Sequence, residues 1–156
     1  MRRDNDIIEL LNDVLTAELT AVNQYFVDAK MCANWGYEHL AEHFREESIG
    51  EMKDADELIE RILFLEGTPN LQRLGSVRVG DTVPEKLDLA RTLEREAVER
   101  LNRGIALCIE RGDHGTREML DSILEGEEEH LDWVESQLSI LSDVGDAHYL
   151  AQQIRD

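Results

Sequence analysis

The chain has 156 residues, 42% of them hydrophobic, only two prolines, and a formal net charge of −19. That is enough apolar chain for one domain with its own core, and it excludes a disordered polymer. The charge argues against nucleic acid, whose phosphates need basic patches; it makes cations natural partners of the surface, although solubility alone accounts for it equally well.

The amino terminus, MRRDNDIIELL, carries charges inside its apolar run and does not read as a secretory leader. No stretch is long and apolar enough to span a membrane. Apolar residues recur at helical spacing over roughly 4–34, ending at NWG, where Gly36 is a stop signal. A second periodic run covers roughly 37–66 and stops at EGTPN, with Gly67 and Pro69 as breakers. The following LQRLGSVRVGDTVPEK lacks helical periodicity. A third run spans roughly 83–111, up to RGDHG, and a fourth roughly 114–143. After Gly145, DAHYLAQQI reads as a short fifth helix. Cys32 and Cys108 lie far apart and form no CxxC or other metal spacing, which points to a reducing compartment and a cytoplasmic protein.

The links between runs one and two and between runs three and four are short, which makes each pair antiparallel neighbours. The link between two and three is long, as it must be to cross the length of a bundle. The expectation is an all-α protein, a single domain over 1–156: a four-helix bundle with a long crossover between helices two and three and a short carboxy-terminal helix.

A buried bundle seam advances in alternating steps of three and four. Helix one gives Ile7, Leu11, Val14, Glu18, Ala21 and Tyr25. Helix two gives Leu40, Phe44, Glu47, Glu51, Asp54, Leu58 and Ile62. Helix three gives Val83, Leu87, Ala90, Glu94, Ala97 and Leu101, and helix four gives Leu120, Ile123, Glu127, His130 and Val134. Every seam is broken near its middle by a carboxylate. One unpaired ionised carboxylate in a core already costs many kcal/mol. Several at one height cannot share a dry interior without cations between them. Two divalent ions would offset most of that charge, so the pattern argues for a dinuclear metal site. Oxygen-rich ligands with one or two imidazoles suit iron or manganese better than zinc or copper.

The set matches an established template, that of ferritin-like di-iron proteins: one Glu from each of two helices and Glu-x-x-His from each of the other two. Glu18 and Glu94 are the single carboxylates, Glu127 and His130 form the intact pair, and Glu51 with Asp54 occupies the place of the second pair. Beyond the ligands, ELTAVNQYF around Glu18, NWG, ESIGEMKDAD, ERILFLEGTPNLQ, EEEHLDW and the YLAQQIR tail resemble bacterioferritin over essentially the whole chain. The resemblance implies a cage of about two dozen subunits with the fifth helix at its four-fold axes. It implies iron(II) oxidised at a di-iron centre in which Glu18, Glu51, Glu94, Glu127 and His130 act, and stored as ferric mineral. It also implies haem b held between two subunits by Met52 of each, Tyr25 and Trp133 near the metals as electron sources, and a ferredoxin-type electron donor.

The chain departs from the family in three places. Asp54 stands where bacterioferritins have a histidine. Glu46 and Gly50 stand where they often have a histidine and an aspartate on the inner wall. Met52 also lies in a stripe with Ile49, Ile59 and Leu63, so interface packing is its ordinary alternative. Two other functions compete. One is a haem-binding structural subunit with an impaired ferroxidase site that co-assembles with an active subunit. The other is a di-iron oxidase or peroxidase without a cage.

Overall fold

The computed structural model describes residues 3–154. The two outermost positions at each end of the expected domain, including Arg155 of the tail motif, lie outside the described residues. The helices are α1 (Asn5–Asn34), α2 (Glu38–Phe64), α3 (Val83–Arg111), α4 (His114–Val144) and α5 (Asp146–Ala151). Local signals set their ends. Asp4 caps α1 by accepting from the amides of Asp6 and Ile7 at 3.0 and 3.3 Å. Thr82 caps α3, and the Glu85 carboxylate reaches back to the Asp81 amide at 2.7 Å. Gly112 closes α3 at φ +71°, a left-handed turn that favours glycine.

Ion pairs at the helix ends fix the directions. Arg111, last in α3, grips Asp4 and Asp6 at the start of α1. Arg61, near the end of α2, meets Asp113 at the cap of α4 at 3.0 Å. Hence α1 and α4 run one way, and α2 and α3 the other. Two successive helices that run in the same direction need a connection as long as the bundle. A helix of this size spans about 40 Å, within reach of an extended chain over 65–82.

That crossover lies along α1 and is held by side chains four residues apart. Asn12 accepts from the Asn70 amide at 2.8 Å and donates to the Thr68 carbonyl. Thr16 accepts from the Arg73 guanidinium, Thr20 from the Gly75 amide at 2.9 Å, and Gln24 from the Arg78 amide. Steps of four place all four on one stripe of α1, which meets backbone demands of a strap that belongs to no helix or sheet.

The apolar interior is in two parts. One gathers Ile7, Leu11, Leu15, Leu58, Ile62, Leu101 and Leu120 with their neighbours; the other gathers Tyr25, Cys32, Phe44, Leu87, Val134 and Tyr149. The mid-seam carboxylates lie between them. The fifth helix adds to the second cluster: Tyr149 is buried and its hydroxyl donates to Gln137 at 2.7 Å.

The second cluster also holds an ion pair that the seam reading does not find. Lys86 is fully buried, with Nζ 3.0 Å from Asp28 Oδ1, 3.2 Å from Met31 Sδ and 5.4 Å from the Trp35 ring centre. It ties the start of α3 to the last turns of α1. Removing one partner of such a pair leaves a buried charge alone, whereas replacing both by apolar residues is often neutral. Lys86→Met is therefore expected to lower unfolding stability by about 3–5 kcal/mol, and Lys86→Met/Asp28→Leu to recover most of it. Denaturant melts of the three proteins check this; equal loss in single and double variants would mean that packing, not charge, governs the position.

Candidate metal centre

The four helices bring their interrupting residues to one level. Glu18, Glu51, Glu94, Glu127 and His130 are all buried. Glu47 and Asp54, on the same seam of α2, are half-buried. One carboxylate oxygen each from Glu18, Glu51, Asp54 and Glu127 lie within 4.8 Å of one another. The opposite side of the layer belongs to Glu94 and His130, whose Nδ1 is 3.0 Å from Glu94 Oε1. Tyr25 donates its phenolic proton to the same Glu94 oxygen. Glu127 lies in hydrogen-bond range of both Glu94 and Glu51, so it joins the two halves.

Without a cation, crowding is relieved by protons. Burial first, then the charge of Glu94, holds Glu51 well above the usual carboxylate range. Burial and its two carboxylate neighbours do the same to Glu127. Burial pushes Glu94 up as well, but hydrogen bonds from Glu127, His130 and Tyr25 outweigh it and leave Glu94 the ionised member. Tyr25 is raised far above the usual phenol value by burial and by Glu94. Asp54 is pushed up to about 7, by burial first and then by Glu57, Glu47 and Glu94.

Some polar atoms have nothing to bond to. Glu18 Oε2, Glu94 Oε2 and His130 Nε2 are buried without a hydrogen-bond partner. Lone pairs left bare beside a carboxylate layer fit cations, each of which accepts from several donors at once. Access exists from the α1/α3 side, where a cavity of about 170 Å³ reaches Glu18, Glu51, Glu94 and Glu127 past the small side chains of Ala17 and Ala97.

The structure thus gathers five of the residues singled out on the seams, and puts Asp54 beside Glu18, Glu51 and Glu127 rather than in solvent. Tyr25 touches the layer directly. Trp133 does not. It stacks on His43, with ring centres 3.4 Å apart, and stands 5.9 Å from His130. His43 itself escaped the sequence reading because it sits one position before the seam residue Phe44. Its spacing of four from Glu47 was the available signal. Burial, and then His130, lower its pKa to about 3, so it is a neutral imidazole. Met52 is on an outer face: it is 50% exposed, and Ile49, one turn earlier, is 46% exposed. Among the described residues no helix is long and apolar enough to cross a membrane.

The family model described as a ferritin-like domain matches residues 8–144. The bacterioferritin BfrA of Mycobacterium tuberculosis is 45% identical over 152 residues, which cover 97% of this chain and 96% of that protein. The bacterioferritin of Streptomyces coelicolor is 44% identical over 154 residues, 99% of this chain and 92% of that one. That of Brucella melitensis is 41% identical over 149 residues, 96% and 92% of the two chains. With a four-helix bundle, a fifth helix and the carboxylate layer already in place, the chain belongs to the bacterioferritins.

Proposed function

We propose that the chain is an iron-storage subunit and a ferroxidase: it takes iron(II) as substrate into the carboxylate layer and releases iron(III) to a mineral. The grouping of four carboxylates within 4.8 Å, flanked by Glu94 and His130, carries the reading. Glu18, Glu51, Asp54 and Glu127 would hold one ion, and Glu94 and His130 the other, with Glu51 and Glu127 able to serve both. Each iron(II) gives one electron to oxygen or peroxide. The residues supply position and compensating charge, not redox equivalents. Entering cations displace the protons held by Glu51, Asp54 and Glu127. Tyr25, bonded to Glu94, is placed to lend an electron. Trp133 is one ring further away, across His43 or His130.

The mineral needs an enclosure, so the subunit assembles into a cage of about two dozen copies, in the cytoplasm. A haem b between two subunits suits the outer face of α2. Met52 offers a thioether amid exposed apolar side chains, and a two-fold axis would set it opposite its own copy. The haem would supply an electron inlet, fed by a ferredoxin-type donor. A mixed cage, with this chain as haem-binding partner to a more active subunit, is the second reading; the half-buried Asp54 in place of imidazole is what favours it.

Glu18→Ala, Glu94→Ala and His130→Ala are each expected to slow the fast phase of iron(II) oxidation by about tenfold or more while the cage still assembles. Asp54→His should speed that phase several-fold and raise occupancy at the Glu18–Glu51 ion, as stopped-flow oxidation and metal analysis would show. Parental rates in all four variants would remove the layer from the chemistry.

Haem provides a separate test. Met52→Ala is expected to abolish the low-spin spectrum of haem held by two thioethers and to leave the subunit folded, because Met52 lies outside both apolar clusters. An unchanged spectrum would strike Met52 from the ligands.

Protonation predicts stability. A carboxyl whose folded pKa is raised, like that of Asp54 at about 7, favours the fold below its unfolded pKa of about 4 and loses that contribution as pH climbs through 7. Chelator-treated protein should therefore melt lower at pH 8 than at pH 5.5. Asp54→Asn should narrow the difference, and cobalt(II) should raise the pH 8 melting temperature. A melting temperature of the chelated parent that is flat with pH would contradict the burial of these groups.

A further inference from the structure

A second cluster of metal-ligating side chains stands beside the carboxylate layer and shares none of its four grouped carboxylates. His43 and Glu47 lie four residues apart on α2, one turn along the same face. His130 reaches them from α4. One donor atom from each lies within 4.8 Å of the other two, and Glu47 Oε2 is 3.5 Å from His130 Nδ1. His43 Nε2 and His130 Nε2 are both buried without a hydrogen-bond partner, and the His130 side chain is 1% exposed. The cluster is therefore short of the one kind of group that would satisfy imidazole lone pairs and a carboxylate together.

The rings are also held in place. His43 stacks on Trp133 at 3.4 Å with planes 13° apart, and meets the Phe44 ring edge-on at 5.8 Å. His130 is pinned edge-on by Tyr25 at 5.1 Å. A donor set fixed before the ion arrives loses little conformational freedom on binding. Two imidazoles and one carboxylate, leaving coordination positions free, suit iron(II), cobalt(II) and zinc(II), and are poor for magnesium or calcium.

We propose that His43, Glu47 and His130 form a further divalent transition-metal site in each subunit, on the α2/α4 side of the carboxylate layer. It does not need the dinuclear reading, because His43 and Glu47 have no part in that centre; His130 is the residue that the two share. A neutral imidazole has one lone pair, so His130 serves an ion here or one beside Glu94 at a given moment. The chain lacks an imidazole at position 54, yet it keeps a second one within reach of the layer at position 43.

Crystals of the assembled, chelator-stripped protein, exposed to a few equivalents of cobalt(II) per subunit, decide the matter by anomalous scattering. A cobalt peak within coordination distance of His43, Glu47 and His130 is expected. His43→Leu should abolish it, and Glu47→Gln, which keeps side-chain size, should cut its occupancy by about tenfold, both without loss of any peak among Glu18, Glu51, Asp54 and Glu127. No peak in the parent overturns the proposal; so does a water in its place, filling only at millimolar cobalt, or a peak that survives both substitutions. An empty carboxylate layer with cobalt at His43 would sink the dinuclear reading and leave this one standing.

Discussion

Mutual repulsion among buried carboxylates is the constraint around which the bundle is built. Glu18, Glu51, Glu94 and Glu127 come from four different helices and meet where an ordinary bundle would bury leucine or alanine. Helices are the fitting support for such a layer. Their backbone polar groups are satisfied internally, so the only unmet demand at mid-bundle is that of the side chains. Each helix contributes long apolar stretches on both sides of its interruption. The packing above and below the layer stabilises what the layer destabilises, and cations bound there would complete the balance.

Asp54 changes that balance in a definite way. Glu18, Glu51, Asp54, Glu94 and Glu127 make five carboxylates, a full charge of −5 when ionised, against +4 for two divalent ions and +6 for two ferric ions. With an imidazole at position 54 the first sum would be neutral. With two metals bound, the extra negative charge would favour the higher oxidation state; without them, it makes the layer more willing to hold protons. Asp54 is also the half-buried member of its group, where Glu18, Glu51 and Glu127 are buried.

Much of the layer was legible in the sequence because the seam is a local property. Steps of three and four are dictated by helix geometry, so Glu18, Glu51, Glu94, Glu127 and His130 could be put on one level before any packing was known. The crossover was legible as a length, not as a path: nothing local says that Asn12, Thr16, Thr20 and Gln24 would each hold the strap, since single polar residues on a helix usually face water. Lys86 and Asp28 were hidden for a related reason. They are 58 residues apart and look like surface charges until tertiary packing excludes water from both. His43 shows the limit most clearly. Its neighbours on the chain identify Phe44 as the inward residue, and only the stacking on Trp133 from another helix turns the adjacent imidazole toward the site.

The division of the apolar interior has a consequence for how the sequence can change. The two clusters have no residue in common and meet across a polar layer whose geometry is set by charge. Repacking transmits strain through contiguous van der Waals contact, and here that contiguity is interrupted. Substitutions around Leu58 and Leu120 should therefore combine additively with substitutions around Phe44 and Val134, while pairs within one half should couple. Each half can drift in side-chain volume on its own terms, and coevolving core positions should fall into two blocks rather than one, leaving the polar layer between them undisturbed.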